Sequence, residues 1–228
     1  MKTLRYILLS SILLITPVKA MSQNSIQGDT VSCNLLDIQG LSVSTDIFGY
    51  AYSLLEDYTS GEVSVELNLG NKYYPVVEMG YGTSDYTDET YGIHYKSSAP
   101  YFRVGLNYNF NNKKGEAPRK NYIYGLARVG WTKPKYDVSA PPMTDPVWGG
   151  TVPLDITDAQ GSFCWIELGI GVKVNIWKNF SMGWSIRYKA RMHKTGDDNS
   201  YIWYAPGFGN SRHTTFGGTY NLTYDLPL

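Results

Sequence analysis

The chain is poor in charge, in cysteine and in histidine, and past its first twenty residues it has no long apolar run. Each shortage excludes something. Charged residues make up 18% of the 228 positions, and 20 basic residues balance 20 acidic ones. Soluble proteins carry roughly a quarter charged residues, so the composition is unusual for that class. With no net charge, nothing points to a nucleic-acid partner. Histidine is scarce, at three residues, and a metal site built on His193 and His213 has no evident third ligand. No glycine-rich phosphate motif falls between a strand and a helix, and no cofactor is expected. The lack of a later run of about 20 apolar residues excludes a further transmembrane helix. It does not exclude spanning strands, in which lipid-facing and lumen-facing residues alternate.

Aromatics and glycine are plentiful instead, at 14% aromatic with 20 Tyr and 23 Gly. Residues 1–20 read as a signal peptide. Lys2 and Arg5 form a basic start, residues 6–15 are apolar except for Ser10 and Ser11, and Pro17 breaks the run before Val18-Lys19-Ala20. Small residues there suit signal peptidase, and the run is short for a membrane anchor. Residues 21–39 are polar and weakly patterned, which suits a periplasmic lead, and residues 40–228 form the body.

From Leu41 onward the residues alternate with period two, which predicts strands whose two faces differ. In residues 180–193, Phe180, Met182, Trp184, Ile186, Tyr188, Ala190 and Met192 share one face; Arg187, Lys189, Arg191 and His193 share the other with Ser and Gly. Residues 162–176 set Ile166, Leu168, Ile170, Val172, Val174 and Ile176 against Glu167, Gly169, Gly171 and Lys173. Phe102, Val104, Leu106 and Tyr108 oppose Arg103, Gly105 and Asn107. Val63, Val65 and Leu67 oppose Glu62 and Glu66, and Val77, Met79 and Tyr81 oppose Glu78. A first strand places Leu41, Val43 and Ile47 against Asp46, and a last one covers residues 213–226. Residues 122–133 are less regular, because Leu126 falls on the face of Arg128; a bulge would resolve this.

About eight strands result, an even number suited to a closed antiparallel barrel. The connections near Gly70 and Trp177 are tight, and the one at residues 111–119 is moderate. Residues 84–98, 134–161 and 194–211 are long and polar. Pro141, Pro142 and Pro146 stiffen the longest of these. Short periplasmic turns opposite long extracellular loops characterise outer-membrane barrels. A soluble, lipocalin-like barrel would instead turn its oily face inward. Small residues beside long charges suit a narrow polar interior, and Tyr73, Tyr101, Tyr122, Trp131 and Trp177 near strand ends suit aromatic girdles, so the transmembrane reading is preferred.

The run Gly40-Leu41-Ser42-Val43-Ser44-Thr45-Asp46, the run Tyr101-Phe102-Arg103-Val104-Gly105-Leu106-Asn107-Tyr108 and the closing run Tyr220-Asn221-Leu222-Thr223-Tyr224-Asp225-Leu226 resemble the small eight-stranded outer-membrane β-barrel proteins of Bacteroidota. The resemblance covers residues 40–228. It implies an outer-membrane location and insertion by the barrel-assembly machinery, which reads a C-terminal strand of alternating aromatics. This chain departs by ending in Leu228 rather than an aromatic residue. The resemblance supplies no catalytic residue.

Several constellations merit a functional reading. Asp46, Glu66, Glu78, Arg103, Arg128, Glu167, Lys173, Arg187, Lys189 and Arg191 face the expected lumen. Counting rise along the strands puts Asp46, Glu66, Glu78, Arg128, Glu167 and Arg187 near mid-height. An eight-stranded interior is just wide enough for side chains, so paired ions acting as a structural plug are favoured over a gated path or pocket. At the outer rim, His193 and His213 lie near Asp197, Asp198 and Ser211. Rim enzymes that modify lipid A or cleave proteins use such groups, but no spacing here matches them, and plain loop residues are favoured. Tyr86, Tyr91, Tyr95, Trp148, Tyr201, Trp203 and Tyr204 enrich the loops. They could stack on sugars or hold a partner; interfacial anchoring is the preferred account. Outer-membrane lipids and lipopolysaccharide are the expected surroundings and partners.

Three functions therefore stand: a non-enzymatic barrel whose loops meet a surface ligand, a rim enzyme, or a narrow solute pore. Cys33 and Cys164 invite a disulfide reading. The strand assignment places them at opposite rims, roughly 25 Å apart, too far for a bridge.

Overall fold

The computed structural model describes residues 38–52, 58–111, 121–144, 149, 151–195 and 202–226, and the side chains within these except at 52, 143, 144 and 151–154. The signal-peptide segment, Cys33, Trp148, Tyr201, Asp197 and Asp198 lie outside the described residues. The elements are β1 (Ile38–Asp46), α1 (Ile47–Tyr52), β2 (Tyr58–Leu69), β3 (Tyr73–Asp88), β4 (Ile93–Asn109), β5 (Tyr122–Thr132), β6 (Lys135–Thr144), β7 (Thr151–Gln160), β8 (Ser162–Trp177), β9 (Phe180–Thr195), β10 (Tyr204–Ala205), β11 (Gly209–Asn210) and β12 (Thr214–Leu226).

Hydrogen-bonded neighbours run β3-β2-β1-β12-β9-β8-β5-β4, and β4 pairs back onto β3. Eight antiparallel strands thus follow one another around a ring; β1 is the short member, so β12 above Asn221 and β2 above Val63 lack a ladder partner on its side. Tight turns join the strands at one end, here called the lower end. Gly70 and Asn71 adopt left-handed φ values of 60° and 57°, and Lys178 one of 46°. Those values suit two- and three-residue hairpin loops, and Gly and Asn bear them at least cost.

Period two governs which side chains are buried. Along β3, Tyr74, Val76 and Glu78 are buried while Tyr73, Val77, Met79 and Tyr81 are exposed. Along β9, Ser181, Ser185 and Arg187 are buried and Trp184, Ile186 and Tyr188 are exposed. The charged face is therefore the inner one, and the apolar face points out. β5 keeps this alternation through Arg128, with no register shift against β4 or β8. The expected bulge is absent because Leu126 is accepted inside, in a buried cluster with Tyr74, Tyr122 and Tyr124.

The upper end departs further from expectation. Residues 84–98 form no loop: β3 and β4 stay paired from Tyr73↔Tyr108 up to Asp88↔Ile93. Asp88 closes the turn by accepting the amides of Thr90 and Tyr91. Within 134–161, Lys135–Thr144 and Thr151–Gln160 pair as β6 and β7, and β6 continues the wall beside β4 through His94↔Ser139 and Ser98↔Lys135. The β6–β7 register shifts between Ala140 and Met143, where Pro141 and Pro142 can donate no ladder hydrogen bond. Ile47 leaves β1's apolar face to begin α1.

Candidate functional site: an ion-paired interior, its cap and an upper cleft

The inner faces of the ring strands converge on two central carboxylates. Glu78 of β3 lies 3.1 Å from Arg187 Nη1, 3.2 Å from Arg128 Nε and 2.9 Å from Arg103 Nε, the last without hydrogen-bond alignment. Glu167 of β8 lies 3.2 Å from Arg103 Nη1, 3.3 Å from Arg187 Nη1 and 4.0 Å from Lys189 Nζ. Trp165 Nε1 also donates to Glu167 at 2.7 Å. Arg103 reaches Glu62 of β2 as well, and Tyr101 OH donates to that carboxylate at 2.9 Å. Each central anion thus meets three cations, the condition under which buried charge is tolerated.

A second layer lies below. Lys173 Nζ is 3.4 Å from Glu66 and 3.1 Å from Asp225, and Asn107 bridges Glu66 to Arg128 Nη2. Ser42 and Ser181 also donate to Asp225. Between the layers a polar cavity of about 30 Å³ remains, room for about two waters.

An aromatic cap sits above the central layer. Tyr101, Phe163 and Trp165 of the wall bury against Ala205 and Phe208 of the β9–β12 connection. Phe208 lies 4.8 Å from Phe163 and 5.9 Å from Trp165, ring centre to ring centre. Lys189 Nζ fastens this connection by donating to Gly207 O at 2.7 Å. Two glycines make room for the large rings. A Cβ on Gly130 would meet Trp165 at 2.3 Å, and one on Gly80 would meet Tyr101 at 2.2 Å.

The structure brings together Glu78, Arg103, Arg128, Glu167, Arg187 and Lys189, and in the lower layer Glu66 and Lys173. It does not bring Asp46 or Arg191 into these ion pairs. Asp46 Oδ1 accepts the amides of Phe48 and Tyr220 at 3.0 Å, tying the start of α1 to β12. Arg191 bonds Ser211 O at 3.3 Å and the ring of His213. Sequence reasoning missed Asn107, Asp225 and the cap. Asn107 and Asp225 do fall on the polar faces of their strands. The apolar residues Ile202, Ala205, Pro206 and Phe208, in a connection otherwise read as polar, were the available signal for the cap.

The rim histidines do not assemble as a catalytic set among the described residues. His193 contacts Thr195, and His213 contacts Arg191. His94, which the sequence did not single out, lies 2.7 Å from Asp85 on the outer face of the β3–β4 extension. Lys96 and Asp137 neighbour this pair in the ladder, which reads as a surface charge row. Cys164 is a free thiol at the upper end of β8.

Above the cap lies a cleft of about 270 Å³. Tyr58 and Tyr204 stack at 5.0 Å within its lining, and Tyr95 and Trp203 stack at 5.7 Å. Burial pushes the Tyr95 hydroxyl up from its ordinary pKa.

These features define a closed eight-stranded antiparallel β-barrel with an ion-paired core and a capped upper end. The chain belongs to the family described as Domain of unknown function (DUF6048), which it matches over residues 3–228. No curated relative matches it. Among solved structures it is similar to a major outer membrane protein from Thermus thermophilus, at 9% identity and TM-score 0.49, over 82% of this chain and 98% of that one. It is also similar to Ail, the attachment invasion locus protein of Yersinia pestis, at 13% identity and TM-score 0.41, over 82% and 99%.

Proposed function

We propose that this chain is an outer-membrane β-barrel with a structurally plugged interior, whose upper end faces outward and meets a surface ligand. One observation carries the reading: a ring-wide apolar belt encloses a core of buried ion pairs, the reverse of a soluble protein. Val65, Val77, Val104, Val129, Leu168, Ile170 and Ile186 lie exposed on the belt. At about 3.3 Å per residue and a tilt of about 40°, residues 180–190 rise about 25 Å, the height of a bilayer's apolar band. Aromatic rows bound the belt at both ends. The lower row includes Tyr73, Tyr108, Trp177, Phe180 and Tyr224. The upper row includes Phe102, Trp131, Tyr188 and Phe216. Lys72 lies over Tyr73 and Tyr108, Lys178 over Trp177, and Lys133 over Trp131. Tyr and Trp with flanking Lys are what a membrane–water boundary selects. Above the upper row, the outward residues become the charged set Asp85, Lys96 and Asp137.

The short turns then face the periplasm, and the signal-peptide pattern of residues 1–20 agrees with export. The cap and the two ion-paired layers argue against a conducting pore. The scattered histidines argue against a rim enzyme, since none meets both a nucleophile and an orienting carboxylate among the described residues. Membrane fractionation tests the location. Recovery in the detergent-soluble outer-membrane fraction is the expected outcome, and recovery as a soluble periplasmic protein would overturn the reading.

A further inference from the structure

We infer that the upper cleft is a binding site for a neutral sugar ring, an assignment that rests on the outward-facing upper end proposed above and names its ligand class. The cleft is walled by rings already fixed against one another. Tyr58 and Tyr204 stack with 30° between planes, and Tyr95 and Trp203 with 19°. Tyr95 is itself held by Tyr136 behind it and by its hydroxyl, which donates to Tyr204 O at 3.3 Å. Trp203 and Tyr86 keep about two-fifths of their surface open, at 41% each. A ligand that stacks here orders little that is not ordered already, which lowers the cost of binding.

The polar lining narrows the chemistry. Ser84 lines the cleft at 1% exposure, and its buried hydroxyl has no hydrogen-bond partner among the described residues. Asn210 brings an amide to the rim. No charged side chain lines the cleft among the described residues. Among these residues an anion or a cation finds no counter-ion. A purely apolar guest would leave the buried Ser84 hydroxyl unmet, which carries a penalty. What satisfies both is a neutral ligand with one flat C–H face for the aromatic planes and hydroxyls at its edge. A pyranose ring has that form. The volume sits at the lower end of ligand pockets and admits about one or two such rings. The cleft also lies above the upper aromatic row, on the β3–β4 extension and the β9–β12 connection, where a cell-surface or environmental glycan would arrive.

The test is a titration of the full chain, folded in detergent micelles, with methyl glycosides of neutral hexoses and their di- and trisaccharides. Saturation-transfer NMR and tryptophan fluorescence read the binding. At least one neutral glycoside is expected to bind in the millimolar range or tighter. Trp203→Ala is expected to weaken it roughly tenfold, the scale of one lost stacking contact. Ser84→Ala is expected to weaken it several-fold, and the matching hexuronate to bind less well than the neutral sugar. Circular dichroism of each variant checks that the barrel is intact. The inference is overturned if no glycoside binds at tens of millimolar, if folded Trp203→Ala binds as the parent does, or if the hexuronate is preferred. The titration needs no membrane, so its failure leaves the fractionation result standing. A soluble location with sugar binding intact would sink the membrane reading alone.

Discussion

Adjacent residues on one strand face opposite demands, and β9 shows it most sharply. Arg187 is 1% exposed and touches Glu78 and Glu167; Ile186, beside it, is 51% exposed on the belt. Replacing Arg187 with Leu removes a cation from two buried carboxylates at once, and about 3–5 kcal/mol of stability should be lost. Replacing Ile186 with Arg places charge against lipid, at a cost of about 2–4 kcal/mol near the bilayer midplane. Both follow from denaturant titrations in lipid vesicles. A neutral Arg187→Leu together with a neutral Ile186→Arg would mean that the register is inverted. Gly130 gives a third test at this scale. Its Cβ would meet the Trp165 ring, which is fully buried and bonded to Glu167, so Gly130→Ala should destabilise by about 1–3 kcal/mol through overpacking. Gly70→Ala, at an open turn where only the left-handed φ is strained, should cost less.

At the scale of elements, β3 and β4 matter most, because each is longer than the belt requires. Their upper halves leave the ring, recruit β6 and form one wall of the cleft. The turn at residues 89–92 should therefore stand clear of the membrane on the side opposite Gly70. Cysteines introduced singly at Thr90 and Gly70, in a background lacking the natural cysteines, should differ in intact cells. An impermeant maleimide is expected to label Thr90→Cys and spare Gly70→Cys, and the opposite result would reverse the topology. The β9–β12 connection supplies the cap by packing Phe208 against both Phe163 and Trp165. Below it, the central ion pairs still fill the bore. Planar-bilayer recordings should thus show no steady conductance from the parent, and none from Phe208→Ala. A stable single-channel step from the parent protein would contradict the plug.

For the molecule as a whole, ring closure lets a polar interior coexist with apolar surroundings. Around the lower part of the ring each strand pairs with a neighbour on both sides, the arrangement that lets a backbone stand among apolar surroundings; above Asn221 and Val63, where β1 gives way to α1, β12 and β2 have no ladder partner on that side. The interior layers also tie strands that are not ladder neighbours: Glu78 of β3 gathers cations from β5 and β9 as well as from adjacent β4, and Asp225 ties β12 to β8 through Lys173. Cooperative unfolding is the expected consequence. Non-reducing and reducing mass spectra should agree for Cys33 and Cys164, since the free Cys164 thiol belongs to the upper end of β8. A Cys33–Cys164 bridge would overturn the strand order.

Period-two alternation determined a good deal without any coordinates. It separated Ile186 from Arg187 and Val104 from Arg103, and with the tight turns at Gly70 and Lys178 it specified the number and direction of the ring strands. Alternation says which residues share a face; it is silent on height and on partners across the bore. Only the tertiary structure decided that Glu78 and Glu167 collect the arginines, that Asp46 and Arg191 bond elsewhere, and that Leu126 joins three tyrosines inside. Local polarity also hides structure above the apolar belt, where the outer face of the strands turns polar and the apolar signal is lost. Residues 84–98 and 134–161 read as loops for that reason, although 84–88 pairs with 93–98 and 135–144 with 151–160. The cap and the cleft depend on residues over a hundred positions apart, Tyr95 against Tyr204 and Tyr101 against Phe208. Such contacts are set by barrel closure and by the return of one connection across the opening, and no periodicity along the chain encodes them.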